Sequence, residues 1–257
     1  MFKQEKLEKS ILEKLKKYPK AKSIFKKMIK DKELNDLLEL ANLVSITRLN
    51  FNDHGKTHVL IVIDSGLKLL KLLNYETNLK KEKQGTLEDS IIAIIMGAYM
   101  HDLGMCLNRN NHELFGIILA KPIMERILKN HKNKHKIIAT AMEGILCHMA
   151  NYKPTSIEAG LISVADGTDM TAGRARIAHT FKRRKGKIHT YSAMSVLNVK
   201  IKKGEKKPIL IEILMRNPAG IFQIEEIMLP KISNSGLSNK IEVKAIIKDT
   251  KEELKIL

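Results

Sequence analysis

From residue 4 to about 46, Leu and Ile recur three and four positions apart among Lys and Glu, with an interruption at Pro19. That spacing predicts two or three amphipathic helices whose Lys runs are solvated faces. From His58, the residues Val62, Gly66, Leu69, Leu70 and Leu73 keep helical spacing to about Asn74, and a polar loop follows over Asn78–Thr86. Leu87 to Met105 is apolar on nearly every side, the pattern of a buried helix. His112 to Lys129 reads as a further helix with Pro122 near its middle, where a kink or a break is expected. Lys136–Met149 and Ser156–Met170 are two more, separated by a turn at Asn151–Pro154.

The period changes after the basic segment Lys182–Lys187. Leu197, Val199 and Ile201 alternate with polar residues, as do Ile209, Ile211, Ile213 and Met215, and later Ile241, Val243, Ala245 and Ile247. Alternation is the strand signal. Between the second and third runs, Ile221–Leu229 is helix-like and is expected to stop at Pro230. The expectation is therefore a mainly α chain in three parts. Residues 1–46 form amphipathic helices packing on a helical domain at 47–186. A small α+β unit at 187–257 has the order strand, strand, helix, strand. A three-stranded sheet with one helix leaves one face to cover, against the helices, a ligand or a second copy, and a homodimer is favoured.

Composition narrows the picture. Of 257 residues, 44% are hydrophobic but only 4% aromatic, with no Trp, so the core is aliphatic. The net charge of +18 suits either a polyanionic partner, such as a nucleotide or nucleic acid, or a solubilising coat. The Lys/Ile/Glu-rich, Gln-poor usage also matches the charge usage of hyperthermophiles. Two cysteines, Cys106 and Cys147, are too few for a disulfide framework or a thiolate zinc site. The N-terminus has no signal-peptide pattern and the longest apolar run, Ile91–Met100, is about half a membrane span, so a soluble cytoplasmic protein is expected.

Two apparent motifs fail. Gly55-Lys56-Thr57 looks like the end of a phosphate loop, but Asn50 stands where the leading Gly belongs. His112-Glu113 begins like a zincin helix, but Gly116 stands at the position of the second His. The constellation that stands is His54 and His58, then His101-Asp102 at the end of the apolar helix, then His112, His148 and the pair Asp166/Asp169. An adjacent His and carboxylate after ten apolar or small residues are costly to bury without coordination or hydrogen bonds. Mixed imidazole and carboxylate donors suit Mn, Fe, Ni, Zn or, less well, Mg.

The ordered series resembles the HD superfamily of metal-dependent phosphohydrolases over about residues 47–180. The resemblance rests on Asp53-His54-Gly55-Lys56-Thr57-His58, on His101-Asp102-Leu103-Gly104, and on Val164-Ala165-Asp166-Gly167-Thr168-Asp169. By position it implies that His58, His101, Asp102 and Asp166 hold one divalent metal, with His54 and Asp169 as outer-shell candidates. His58 is preferred to His54 because the apolar helix starts there. His112 and His148 match loosely the extra histidines of members with a second ion or a catalytic His, so one or two ions are implied. The chain lacks the Gly-Tyr-Pro signature of the cyclic-dinucleotide branch. Arg109, Arg174, Arg176 and Lys56 are candidate phosphate-binding groups. The activity implied is metal-dependent hydrolysis of a nucleotide or phosphodiester by activated water. The alternative is a nucleic-acid-binding or regulatory protein on the same scaffold without turnover.

Overall fold

The computed structural model describes residues 3–49, 51–172 and 188–257, the last of these without side chains at 188–190. Three helices open the chain: α1 (Lys3–Lys14), α2 (Pro19–Lys30) and α3 (Lys32–Leu43). Pro19 sits at the start of α2, where its missing N–H costs nothing. Asp31 caps α3 by accepting from the Leu34 amide at 3.0 Å. A π-helical turn, Val44–Arg48, extends α3.

Helix α4 (Lys56–Leu72), the short α5 (Asn78–Lys81), α6 (Leu87–Met100), α7 (His112–Ile127), α8 (Lys134–Cys147) and α9 (Ile157–Gly167) complete the bundle. α6 is its axis, with every residue from Asp89 to Met100 buried and with α2, α4, α8 and α9 packed around it. Its start is set by a capping box between Thr86 and Asp89. α6 ends at Met100, earlier than its apolar pattern, because Leu103–Cys106 tightens into a 3-10 turn. α7 runs through Pro122 without a break. The carbonyl that Pro122 leaves without its helical donor belongs to Ile118, which is 68% exposed, so water can satisfy it.

The C-terminal part opens with α10 (Ile188–Ser195), which runs into β1 (Val196–Lys203). β2 (Ile209–Met215), β3 (Ile241–Ile247) and β4 (Glu253–Lys255) complete a sheet of order β1-β2-β3-β4. β1 and β2 are antiparallel, β2 and β3 parallel, β3 and β4 antiparallel. The expected three strands are thus joined by a fourth, too short and too charged to show alternation. Pro230 does not stop the intervening helix. α11 (Ile221–Gln223) passes through a π-helical stretch, Ile224–Met228, into α12 (Leu229–Asn234). Pro230 lies in the first turn of α12, and the Glu226 carbonyl four residues back is on the exposed side.

Parallel pairing of Ile211 with Val243 and of Ile213 with Ala245 puts the buried positions of both central strands on one face. That face shares one continuous apolar core with Ile224, Met228 and Ile232 and with the helical bundle. Covering it therefore needs no second copy of the chain. No described helix is long and apolar enough to cross a membrane.

Candidate metal centre

Four histidines point their Nε2 atoms into one buried space, and the reason is local. A helix end leaves carbonyls without intrahelical donors. His101 and His148 each follow the last residue of a helix and keep helical dihedrals. Their rings fold back so that Nδ1 donates to a carbonyl three residues earlier: Ala98 for His101 at 2.9 Å and Ile145 for His148 at 2.7 Å. His112, the first residue of α7, donates from Nδ1 to the Arg109 carbonyl at 2.8 Å. His58 on α4 donates from Nδ1 to Asp169 Oδ2 at 2.8 Å. A carbonyl or carboxylate only accepts, so each Nδ1 carries a hydrogen, and Nε2 is the atom that gives a lone pair when the ring is neutral.

Those lone pairs converge in two sets. His58 Nε2 and His101 Nε2 lie 3.1 Å apart. Asp102 Oδ2 is 3.3 Å from the first and 3.1 Å from the second. Asp166 Oδ1, from α9, stands 3.2 Å from His58 and 3.7 Å from His101. On the other side, His112 Nε2 and His148 Nε2 lie 3.0 Å apart. Asp102 Oδ1 reaches them at 3.3 and 3.5 Å. Asp102 thus sends one oxygen into each set, and all the residues in both are buried.

The glycines of the motif allow this approach. A Cβ on Gly104 would stand 1.9 Å from the His112 carbonyl and 2.6 Å from the Gly116 amide. Only glycine lets the turn after His101-Asp102 nest on the first turn of α7 and carry His112 to Asp102. Gly116, which spoils the zincin pattern, serves the same close packing.

The donor set fits a divalent cation. Lone pairs and carboxylate oxygens crowded this closely repel one another unless positive charge stands among them. Ligand atoms ~2.1 Å from a common ion, at tetrahedral to octahedral angles, would be ~3.0–3.4 Å apart, close to the spacing here. Asp102 Oδ2 is buried with no hydrogen-bond partner, as a ligand atom would be.

The electrostatics agree. Burial pushes the His101 imidazolium toward neutrality, but the Asp102 and Asp166 carboxylates outweigh it and raise the ring to about 9. Burial lowers His148 to about 4; Asp102 opposes this, while positive charge on His101 and His112 adds to it. Both carboxyls stay well below the usual range although burial alone would raise them. The imidazolium of His101 is the leading cause for Asp102 and the Lys231 ammonium for Asp166.

Other expected residues are placed differently. His54 Nδ1 donates to the Asn52 carbonyl at 2.6 Å, and its ring centroid is 5.9 Å from that of His58. Lys56 turns away to pair with Glu8 of α1 at 3.0 Å. Arg109 lays its guanidinium 4.0 Å over the Phe51 ring while its own carbonyl holds His112. Arg174 and Arg176 lie outside the described residues, as does the basic segment Lys182–Lys187. Sequence reasoning missed Lys231 of α12, whose Nζ bonds Asp166 Oδ2 and the His148 carbonyl. Nothing marks it among 46 Lys and Arg.

Residues 56–171 match the family model of the HD domain. Over 236 residues the chain is 40% identical to an uncharacterized protein of Methanocaldococcus jannaschii, covering 90% of each chain. No solved structure matches it.

Proposed function

The chain belongs to the HD superfamily of metal-dependent phosphohydrolases, and from that premise we propose that it hydrolyses a nucleotide or a phosphodiester at a centre of two divalent ions. The observation that carries this reading is Asp102, whose two oxygens enter two separate sets of imidazole lone pairs. His58, His101, Asp102 and Asp166 would hold the first ion; His112, His148 and Asp102 would hold the second. Divalent ions bound there acidify a water to a pKa of roughly 7 and polarise the phosphoryl oxygen.

The chain's own residues prepare that chemistry. Asp169 and the carbonyls of Ala98, Arg109 and Ile145 hold the Nδ1 hydrogens, so that Nε2 is the atom each neutral ring offers for coordination. His148, held neutral down to about pH 4, suits a second-ion ligand better than a proton donor. Arg109 over Phe51 offers a cationic and aromatic surface next to His112, and Phe51 is 39% exposed. Such a surface favours a phosphate ester that carries a base.

The test is hydrolysis of a panel of nucleoside phosphates, cyclic and linear phosphodiesters and a simple phosphomonoester. The metal-stripped protein is assayed with and without added Mn. Mn-dependent release of phosphate or nucleotide from a base-bearing ester is expected. Inactivity on the whole panel, with retained and salt-dependent nucleic-acid binding, would replace this reading with the non-catalytic one.

A further inference from the structure

Lys231 comes from the C-terminal part of the chain, yet its ammonium ends inside the metal centre. It is buried, and Nζ donates to Asp166 Oδ2 and, at 2.6 Å, to the His148 carbonyl. α12 can deliver it because α9 presents glycines to it. A Cβ on Gly160 would stand 2.3 Å from the Ser235 carbonyl, and one on Gly167 would stand 3.2 Å from the Lys231 side chain. A buried ammonium is costly unless paired and hydrogen-bonded, so this one stays where both its acceptors are.

The pairing divides the labour of Asp166. Oδ1 faces His58 and His101, while Oδ2 is taken by Lys231. We infer that Lys231 is a positioning residue that confines Asp166 to one coordinating oxygen and so tunes the centre toward small divalent ions and against Ca²⁺. The inference rests on the metal reading above. An ion between His58 and His101 meets two imidazole nitrogens and one oxygen from each of two carboxylates. Ions that bind at ~2.0–2.2 Å through nitrogen and single oxygens accept such a set. Ca²⁺ takes six to eight oxygens at ~2.3–2.6 Å, from carboxylates that bind through one oxygen or both; the lysine denies it the second oxygen of Asp166. The charge of the ammonium repels every divalent ion alike and shifts all affinities together. Denticity alone shifts the ratio between ions.

The experiment is calorimetric titration of the metal-stripped full-length protein with Mn²⁺ and, separately, Ca²⁺. The wild type is expected to bind Mn²⁺ at least about 100-fold more tightly. In Lys231→Met, which keeps the apolar stem and removes the cation, Oδ2 is released and the Mn²⁺/Ca²⁺ ratio should narrow by roughly ten-fold, an outer-shell effect of ordinary size. Lys231→Arg, which keeps a cation on Oδ2, should hold the wild-type ratio. An unchanged ratio in Lys231→Met, with both affinities moved together, would reduce Lys231 to a structural contact. Ca²⁺ binding as tight as Mn²⁺ in the wild type overturns the inference whether or not the variants fold. If the wild type binds neither ion, the metal reading itself fails.

Discussion

The two halves of the centre share Asp102 but are built to different standards. The first half gathers donors from α4, from the end of α6 and from α9, and its carboxylate Asp166 and its imidazole His58 are each gripped from behind, by Lys231 and Asp169. The second half has two imidazoles and one carboxylate oxygen among the described residues; main-chain carbonyls accept from its rings, and Glu113 Oε2 lies 3.7 Å from His112 Nδ1. Burial lowers His148, whereas at His101 the two carboxylates of the more anionic first half outweigh burial and raise the ring. Four donors with two fixed outer partners would hold an ion more tightly than three. Three donors would leave more coordination positions for water and substrate, so exchange is expected in the second half.

The largest test removes what the halves share. Asp102→Ala should abolish binding of both ions and lower hydrolysis by about 10³-fold or more, since metal-borne charge stabilisation is worth several kcal/mol. Far-UV circular dichroism should stay nearly unchanged, because the aliphatic core carries the fold. Full activity in this variant would leave the His-Asp pair structural and end the comparison.

His148→Ala addresses the second half alone. Bound metal measured by elemental analysis should fall from two ions per chain to one, and activity should drop by roughly 10²-fold. Loss of both ions together would show a single cooperative site instead of two unequal halves.

Asp169→Ala probes the first half from outside. It releases the His58 ring, and affinity for the tighter ion should weaken by roughly 10–100-fold with the weaker ion little affected. Equal weakening of both in a titration would contradict the independence of the halves.

The last test, whose effect within a single pH unit is the smallest, separates the halves by pH. His101, raised to about 9, carries a proton through neutral pH that an incoming ion must displace. Metal affinity of the first half should rise by about ten-fold per pH unit up to about pH 9. His148, lowered to about 4, has no proton to lose above that value, so its contribution to the second half should be flat from about pH 5 upward. The sign for folding is opposite. In metal-free protein the raised His101 adds stability that is complete below its unfolded value of 6.5 and lost as pH climbs through about 9. Titrations in buffers of different ionisation enthalpy, with thermal melts of stripped protein, check both.

Much of this was legible in the chain. Helical spacing and strand alternation report which side of an element is buried, a property each element carries within its own few turns, and they located α4, α6 to α9, β1, β2 and β3. His101-Asp102 stood out because charge after an apolar helix is locally improbable, and the order of His58, Asp166 and Asp169 around it carried the family resemblance. Elements whose signal is weak were misjudged: β4 is only three residues long, and both Pro122 and Pro230 sit where a freed carbonyl can face water. Tertiary structure alone decided the rest. It turned Lys56 onto Glu8, aimed the two oxygens of Asp102 at different histidines, and brought Lys231 to Asp166 across 65 residues. A lysine's partner depends on how α12 lies across α9, which glycines at 160 and 167 permit and no periodicity records. Local pattern determines which faces are buried; which charges meet inside is settled only when those faces pack.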